Sequence, residues 1–251
     1  MDEHVRIERD GGLLSLSLTR PERRNAITVA MYAALADAVE SAAGDDSVRV
    51  IAIRGKGQDF TAGNDLFDFL NALPRAEDIP VTRLLRALAC NPKPLVAAVQ
   101  GNAVGIGTTL LLHCDLVIAE ENARFSMPFV DLGLVPEAAS SLLLPILAGR
   151  RRAASWLLLA EPFGAKEALE AGVISHIVPP GAGPQALDEM VQRLLRKPPE
   201  ALKLTQRLLR QGGTDEVLAR MDLETGLFAE RLQSDEVKAA IASFFAGRGK
   251  S

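Results

Sequence analysis

The sequence predicts an α/β layered fold with a mainly helical C-terminal region. Three observations carry this. Two runs built on continuous apolar stretches, Val48 to Arg54 and Leu95 to Val99, read as strands covered on both faces. Segments with helical periodicity alternate with them. After Pro136 the pattern is almost entirely helical.

In chain order, Val5 to Arg9 and Leu13 to Leu18 read as short strands joined at Asp10-Gly11-Gly12, a hairpin turn. Pro21 to Asn25 is a polar loop. Thr28 can cap a helix running to about Ala43, with Met31, Leu35, Ala38 and Val39 on one face. The strand Val48 to Arg54 leads into a loop, Gly55 to Asp65, and a helix near Leu66 to Leu73. Pro74 to Pro80 is polar, bounded by prolines and without periodicity, so it reads as mobile. A helix over Val81 to Ala89 precedes the strand Leu95 to Val99. Gly101 to Gly107 is a glycine-rich turn, followed by an apolar helix to His113. Leu116 to Ala119 and Arg124 to Ser126 are short strands. Helices follow over Ala138 to Leu147, Arg150 to Leu159, Ala165 to Ala171, Pro184 to Arg196, Pro199 to Arg210, Thr214 to Leu232 and Asp235 to Phe245. One strand, Ile174 to Val178, interrupts them. The core is expected over residues 1–195 and a separate helical layer over 196–251.

Bulk properties exclude several classes. The 251 residues are 48% hydrophobic, enough for a substantial core. A net charge of -4 does not suit a nucleic-acid binder, and the basic runs at Arg20, Arg23, Arg24 and at Arg150 to Arg152 read as solvated faces. Cys90 and Cys114 form no CxxC pair, and His4, His113 and His176 form no HExxH, so no metal site is expected. His113 and Cys114 read as packing residues. No apolar run spans a bilayer, the first residues lack a signal core, and the last three are not an SKL-type address. A cytoplasmic protein without membrane or nucleic-acid partners is the expectation.

Several motifs fail. Gly105-Ile106-Gly107 follows a strand, but the third glycine of a dinucleotide fingerprint would fall at Leu110. Gly249-Lys250-Ser251 resembles the end of a P-loop, but the first glycine would be Phe244. No GxSxG elbow exists.

Two loops survive: Phe60-Thr61-Ala62-Gly63-Asn64-Asp65-Leu66 and Gln100-Gly101-Asn102-Ala103-Val104-Gly105-Ile106-Gly107. Each joins a buried strand, a turn of small residues and a helix start. Small residues admit a ligand close to the backbone, and a helix start offers unpaired N–H groups. Facing each other, such turns would stabilise a developing oxyanion, where one donor is worth roughly 3 kcal/mol. Each taken alone also reads as an ordinary tight turn.

Together, FTAGNDL, QGNAVGIG and Cys114-Asp115 resemble the crotonase (enoyl-CoA hydratase/isomerase) superfamily. Ala97-Ala98-Val99, Ala123-Arg124-Phe125-Ser126 and Phe244-Phe245-Ala246-Gly247-Arg248 extend the resemblance over the chain. It implies a crotonase-like ββα spiral core, a helical C-terminal trimerisation region, and a homotrimer or hexamer. It also implies an acyl-CoA substrate, with coenzyme A entering as part of that substrate and no separate cofactor. The oxyanion donors would be the N–H groups of Ala62 and Ile106. Arg24 would lie near the coenzyme A phosphates, and Ala26, Asn64, Asp65, Leu66, Gly105, Phe129 and Leu134 would complete substrate binding. Asn64 and Asp65 also suit a loop-shaping role through bonds to backbone. Phe67, Leu70, Phe129 and Leu134 suit either an acyl tunnel or the core.

The acid/base positions depart from the hydratases of that superfamily. Where those carry two glutamates, this chain has Thr109 and Phe129, and neither can act as a base. Glu137 stands instead at the head of a predicted helix in an apolar stretch. Such surroundings raise a carboxyl pKa and suit a proton shuttle. The same position also suits compensation of the helix dipole. Asp131 is a second acid, suited to supporting Glu137 or to a turn. Pro136-Glu137-x-x-Ser140-Ser141 with Gly63-Asn64-Asp65-Leu66 is most like the peroxisomal-type Δ3,Δ2-enoyl-CoA isomerases. That resemblance implies that Glu137 carries a proton between C2 and C4. A hydratase or another crotonase reaction is the nearest alternative, and a non-catalytic acyl-CoA-binding scaffold is a third.

Overall fold

The computed structural model describes residues 3–71 and 80–248. Residues 74–79 of the stretch read as mobile, and the end of the predicted helix at Leu73, lie outside the described residues.

The chain opens with an antiparallel hairpin of β1 (Val5–Asp10) and β2 (Leu13–Leu18), turned at Gly11 and Gly12, both at positive φ. Helix α1 (Val29–Ala43) starts as read from sequence: Thr28 Oγ1 accepts from Met31 N at 3.2 Å. Strand β3 (Val50–Gly55), helices α2 (Leu66–Asn71) and α3 (Pro80–Cys90), and strand β4 (Leu95–Val99) follow. Next come β5 (Asn102–Val104), the short helix α4 (Ile106–Thr109) with a 3-10 turn over Leu110–His113, β6 (Leu116–Glu120) and β7 (Arg124–Ser126). The remainder is α5 (Ser140–Ala148), α6 (Arg150–Leu158), β8 (Phe163–Gly164), α7 (Ala165–Glu170), β9 (His176–Val178) and α8 (Gly183–Leu195). Helices α9 (Pro199–Arg210), α10 (Thr214–Leu232) and α11 (Asp235–Arg248) end it.

One sheet has the order β1-β2-β3-β4-β6-β9, parallel from β2 onward. A second, of β5, β7 and β8, lies apart from it. Successive units thus place one strand in each sheet and then a helix, as in β4–β5–α4 and β6–β7–α5.

The central strands β3, β4 and β6 are buried on both faces for most of their length, which explains their continuous apolar stretches. Val50, Ala52, Val96, Ala98 and Ile118 face Leu187, Met190 and Val191 of α8. Ile51, Ile53, Leu95, Ala97, Val99 and Val117 face the main core with Leu35, Val39 and Leu88 of α1 and α3. In the small-sheet layer, Trp156 stacks on Phe163 with centroids 3.9 Å apart, and Phe163 on Phe125 at 5.4 Å.

The last three helices pack back on the core. Arg210 at the end of α9 donates to Leu88 O, Ala89 O and His113 O, and pairs with Asp115 Oδ1 at 3.3 Å. Gln206 Nε2 donates to Asn91 O at 3.1 Å. Helix α10 packs against α3 and α5. Strands β5 and β8 are not foreseen from sequence; three and two residues are too few to show alternation. The helix predicted from Ala138 starts at Ser140, because Ala138 and Ala139 both adopt positive φ.

Candidate active site

The two glycine-containing loops lie side by side. Phe60 N donates to Gln100 O, Thr61 N to Asn102 O and Val104 N to Thr61 O, at 2.8, 3.0 and 3.0 Å. Asp59 Oδ1 accepts from both Asn102 N and Asn102 Nδ2. This approach leaves no space for side chains at two positions. A Cβ on Gly63 would lie 2.7 Å from Val104 O, and one on Gly107 would lie 2.4 Å from Thr61 Cγ2.

A third segment locks the first loop from behind. Asn25 is fully buried at positive φ, and its Nδ2 donates to Lys56 O, Asp59 O and Phe60 O. Thr61 Oγ1 donates to Asn25 O at 2.7 Å. Ile27 N donates to Gly63 O and Asp65 N to Ile27 O, forming a parallel bridge between Ile27 and Asn64.

That bridge decides which amide is open. Ala62 N donates to Arg24 O at 2.8 Å. The N–H expected to serve an oxyanion is therefore engaged, which corrects the expectation for Ala62. In a parallel bridge the paired residue's own N–H points away from its partner, so Asn64 N–H faces the other side of the loop. Among the described residues no hydrogen-bond acceptor for it is found. Ile106 opens α4, where the first N–H groups have no partner inside the helix. Gly105 before it has φ 56 and ψ -118, a conformation that glycine alone adopts readily.

The other predicted positions fall as follows. Asn64 Oδ1 accepts the hydroxyl of Tyr32, a core residue of α1. Asp65 Oδ2 accepts from Arg20 Nη1 at 2.7 Å, and Oδ1 accepts from Phe67 N and Asp68 N at the start of α2. Burial pushes the Asp65 carboxyl up, but the Arg20 guanidinium and the α2 amides outweigh it and hold the net value down. Asp65 is thus a brace for the loop. Arg24 is 69% exposed in its side chain and 3.9 Å from Asp59 Oδ2, while Ala26 O accepts from Arg20 Nη1. Leu66 is half-buried, and Phe129 and Leu134 belong to the main core. Asp131 is exposed in the 3-10 turn Val130–Leu132.

Glu137 does not open a helix as expected. It precedes two alanines in the left-handed region, Ala138 at φ 61 and Ala139 at φ 56, each costing about 1–2 kcal/mol. Hydrogen bonds hold this turn. Glu137 O accepts from Ser140 N at 3.0 Å and from Ser140 Oγ at 2.6 Å. His113 Nε2 donates to Ala138 O at 2.9 Å, so the neutral ring carries its proton there. Burial lowers the His113 pKa to about 4, in keeping with a neutral ring. Glu224 of α10 accepts from Ala139 N at 2.6 Å and Ser141 N at 3.0 Å.

The Glu137 side chain is different. Its Oε1 is buried without a hydrogen-bond partner. Burial first, and the nearby Glu224 second, push its carboxyl up to about 8. A negative charge on Glu137 also adds, after burial, to the rise in the pKa of the Tyr32 phenol. Thr109 Oγ1 is likewise buried without a partner, on the helix that Ile106 starts.

Sequence reasoning missed Tyr32 and Glu224 and read His113 as packing alone. Tyr32 is the chain's one tyrosine and falls on the buried face of α1, where a phenol hydroxyl needs a partner. Glu224 shares the buried stripe of α10 with Met221, Phe228 and Leu232. An acid in an apolar stripe was the available cue.

A groove of about 820 Å³ lies elsewhere, lined by residues including Arg6, Arg54, Lys56, Gln100, Glu120 and Pro184; it includes none of Asn64, Ile106 and Glu137. Among the described residues no cluster of His, Cys, Asp and Glu could hold a metal ion, and no helix is long and apolar enough to cross a membrane.

Comparison with known proteins agrees with this architecture. The family model described as enoyl-CoA hydratase/isomerase matches residues 8–250. The solved structure of Pseudomonas aeruginosa OdaA superposes with a TM-score of 0.93 at 42% identity, covering 97% of this chain and 99% of that one. The 1,2-epoxyphenylacetyl-CoA isomerase of Escherichia coli K12 is 33% identical over 99% of this chain and 97% of its own length. Enoyl-CoA delta isomerase 2 of Rattus norvegicus is 31% identical over 98% of this chain, which spans 64% of that relative. Relatives named as hydratases match at similar identity. The chain belongs to the enoyl-CoA hydratase/isomerase family and has the crotonase fold.

Proposed function

We propose that the protein shifts the double bond of a 3-enoyl-CoA to the 2-position, with Glu137 as the only acid/base group. Family membership supports an acyl-CoA substrate. The observation that carries the specific reading is the Glu137 carboxyl, buried and unpartnered at Oε1.

In this reading the thioester oxygen lies between Asn64 N–H and Ile106 N–H. Glu137 removes a C2 proton and the charge moves onto that oxygen, where preorganised donors stabilise it. The resulting acid returns the proton to C4, leaving the double bond between C2 and C3. A carboxyl titrating near 8 holds and releases a proton with little penalty near neutral pH. Phe129 has no titratable group and Thr109 Oγ–H is not a base, so activation of water by paired glutamates is not supported. Arg24 is proposed at the coenzyme A phosphates, with Ala26, Leu66, Gly105, Phe129 and Leu134 in the rest of the substrate site. Exposed leucines on α9 and α10, such as Leu208, Leu209 and Leu223, support self-association as a trimer or hexamer.

The test is an assay of the wild type and Glu137→Gln with 3-enoyl-CoA and 2-enoyl-CoA. Isomerisation by the wild type and its loss in the variant is expected. Equal isomerisation by both would remove Glu137 from the reaction, and water addition as the main activity would favour a hydratase.

A further inference from the structure

We propose that Glu224 is a positioning residue for Glu137, acting through the turn Ala138-Ala139-Ser140 and not through the substrate. The inference rests on the reading of Glu137 as the proton carrier.

Helix α5 begins without a cap from its own chain segment, because Ala139 stands at the capping position. The acceptor comes from α10. The two oxygens of Glu224 take Ala139 N–H and Ser141 N–H, at 2.6 and 3.0 Å, and so fix the backbone on both sides of Ser140. Arg220, one turn earlier on α10, donates to Ser141 Oγ at 3.1 Å. Glu224 is 4% exposed, so little water can replace it. The Glu137 side chain has no such restraint at its buried Oε1. Its aim is therefore set by its backbone, and Glu224 clamps the residues that follow.

A neutral glutamine would offer one acceptor oxygen for these two amides, whereas Glu224 supplies two and buries a charge beside another carboxyl, which is costly. The charge has its own consequence. It makes Glu137 a stronger base, as the second cause of its raised pKa after burial. Among the described residues, Tyr32 of α1 and Glu224 of α10 interact electrostatically with Glu137, Arg220 of α10 bonds Ser141 Oγ, and His113 holds Ala138 O. Among them Glu224 alone combines a negative charge with bonds to the turn.

The test measures kcat, KM and the pH dependence of kcat/KM for trans-3-hexenoyl-CoA with Glu224→Gln, Glu224→Asp and Glu137→Gln. Glu224→Gln should lower kcat by about tenfold or more with KM changed by less than about threefold, because the turn shifts while the thioester site remains. Its ascending limb in kcat/KM should also move to lower pH, since a neighbouring charge is gone. Glu224→Asp keeps the charge and shortens the reach, so kcat should fall while the limb stays. Wild-type kcat and an unmoved limb in folded Glu224→Gln would overturn the proposal, even with a lowered melting temperature. If that variant does not fold, wild-type kcat in Glu224→Asp would overturn it. Full activity of Glu137→Gln would defeat the underlying reading. An inactive Glu137→Gln beside an unaffected Glu224→Gln would defeat the role of Glu224 alone.

Discussion

Arg24 O accepts the Ala62 N–H at 2.8 Å, and the bridge between Ile27 and Asn64 turns the next outward amide to Asn64. A bound thioester oxygen should therefore lie within hydrogen-bond reach of Asn64 N and Ile106 N, with Ala62 N still on Arg24 O. A crystal structure with a non-hydrolysable ketone analogue, in which CH2 replaces the thioester sulfur and the carbonyl oxygen is kept, checks this. An analogue oxygen bonded to Ala62 N, with the Arg24 bond broken, would restore the assignment made from sequence.

Tyr32 ties this loop to α1 through Asn64 Oδ1. Removing the hydroxyl in Tyr32→Phe leaves a half-buried amide oxygen that water can partly satisfy. Stability should fall by about 0.5–1.5 kcal/mol. The kcat for 3-enoyl-CoA should fall further than that loss alone implies, by about three- to tenfold, because the Asn64 amide is less firmly aimed. Denaturant unfolding and steady-state kinetics on one preparation separate the two effects.

The pH dependence has a definite sign. Glu137 must be ionised to remove a C2 proton, so kcat/KM should rise with pH to a limb near the carboxyl value of about 8. Stability should run the other way. The folded value stands above the ordinary 4.5, so the folded state binds the proton more tightly. Its stabilising contribution is complete below pH 4.5 and is lost as pH rises through about 8. Glu137→Gln should accordingly be more stable than the wild type above pH 8, by on the order of 1–4 kcal/mol. His113 acts oppositely: lowered from 6.5 to about 4, it removes stability as pH falls across that interval. Melting temperatures of both proteins from pH 4 to 9 measure this, and equal stability at alkaline pH would contradict a desolvated Glu137.

These predictions depend on features that the sequence shows unequally. Burial on both faces leaves Val50–Gly55 and Leu95–Val99 without alternation, and that absence is itself readable. The motif spacing identifies the Phe60 to Leu66 loop as a site, but not which amide in it is open. That depends on Ile27, more than thirty residues earlier. Alanine favours helix, so Ala138 and Ala139 read as its start. Glu224, 85 residues from Ala139, holds them in the left-handed region instead. Local preference cannot register a partner so distant in sequence.

Gly63 and Gly105 offer a paired test of loop packing against backbone strain. Gly63 has φ 85, and a Cβ there would lie 2.7 Å from Val104 O, a backbone atom that cannot move without parting the two loops. Gly63→Ala should cost about 2–4 kcal/mol and abolish turnover, since both open amides lie on those loops. At Gly105 a Cβ meets nothing within 4 Å, so only φ 56 with ψ -118 opposes alanine. Gly105→Ala should cost less, about 1–3 kcal/mol, and fold. Its strain relaxes by rotating the peptide that presents Ile106 N–H. The kcat should then fall by about a hundredfold or more, the effect of losing one oxyanion donor, while melting temperature changes little beside Gly63→Ala. Near-wild-type turnover in Gly105→Ala would mean that Ile106 N–H does not serve the oxyanion.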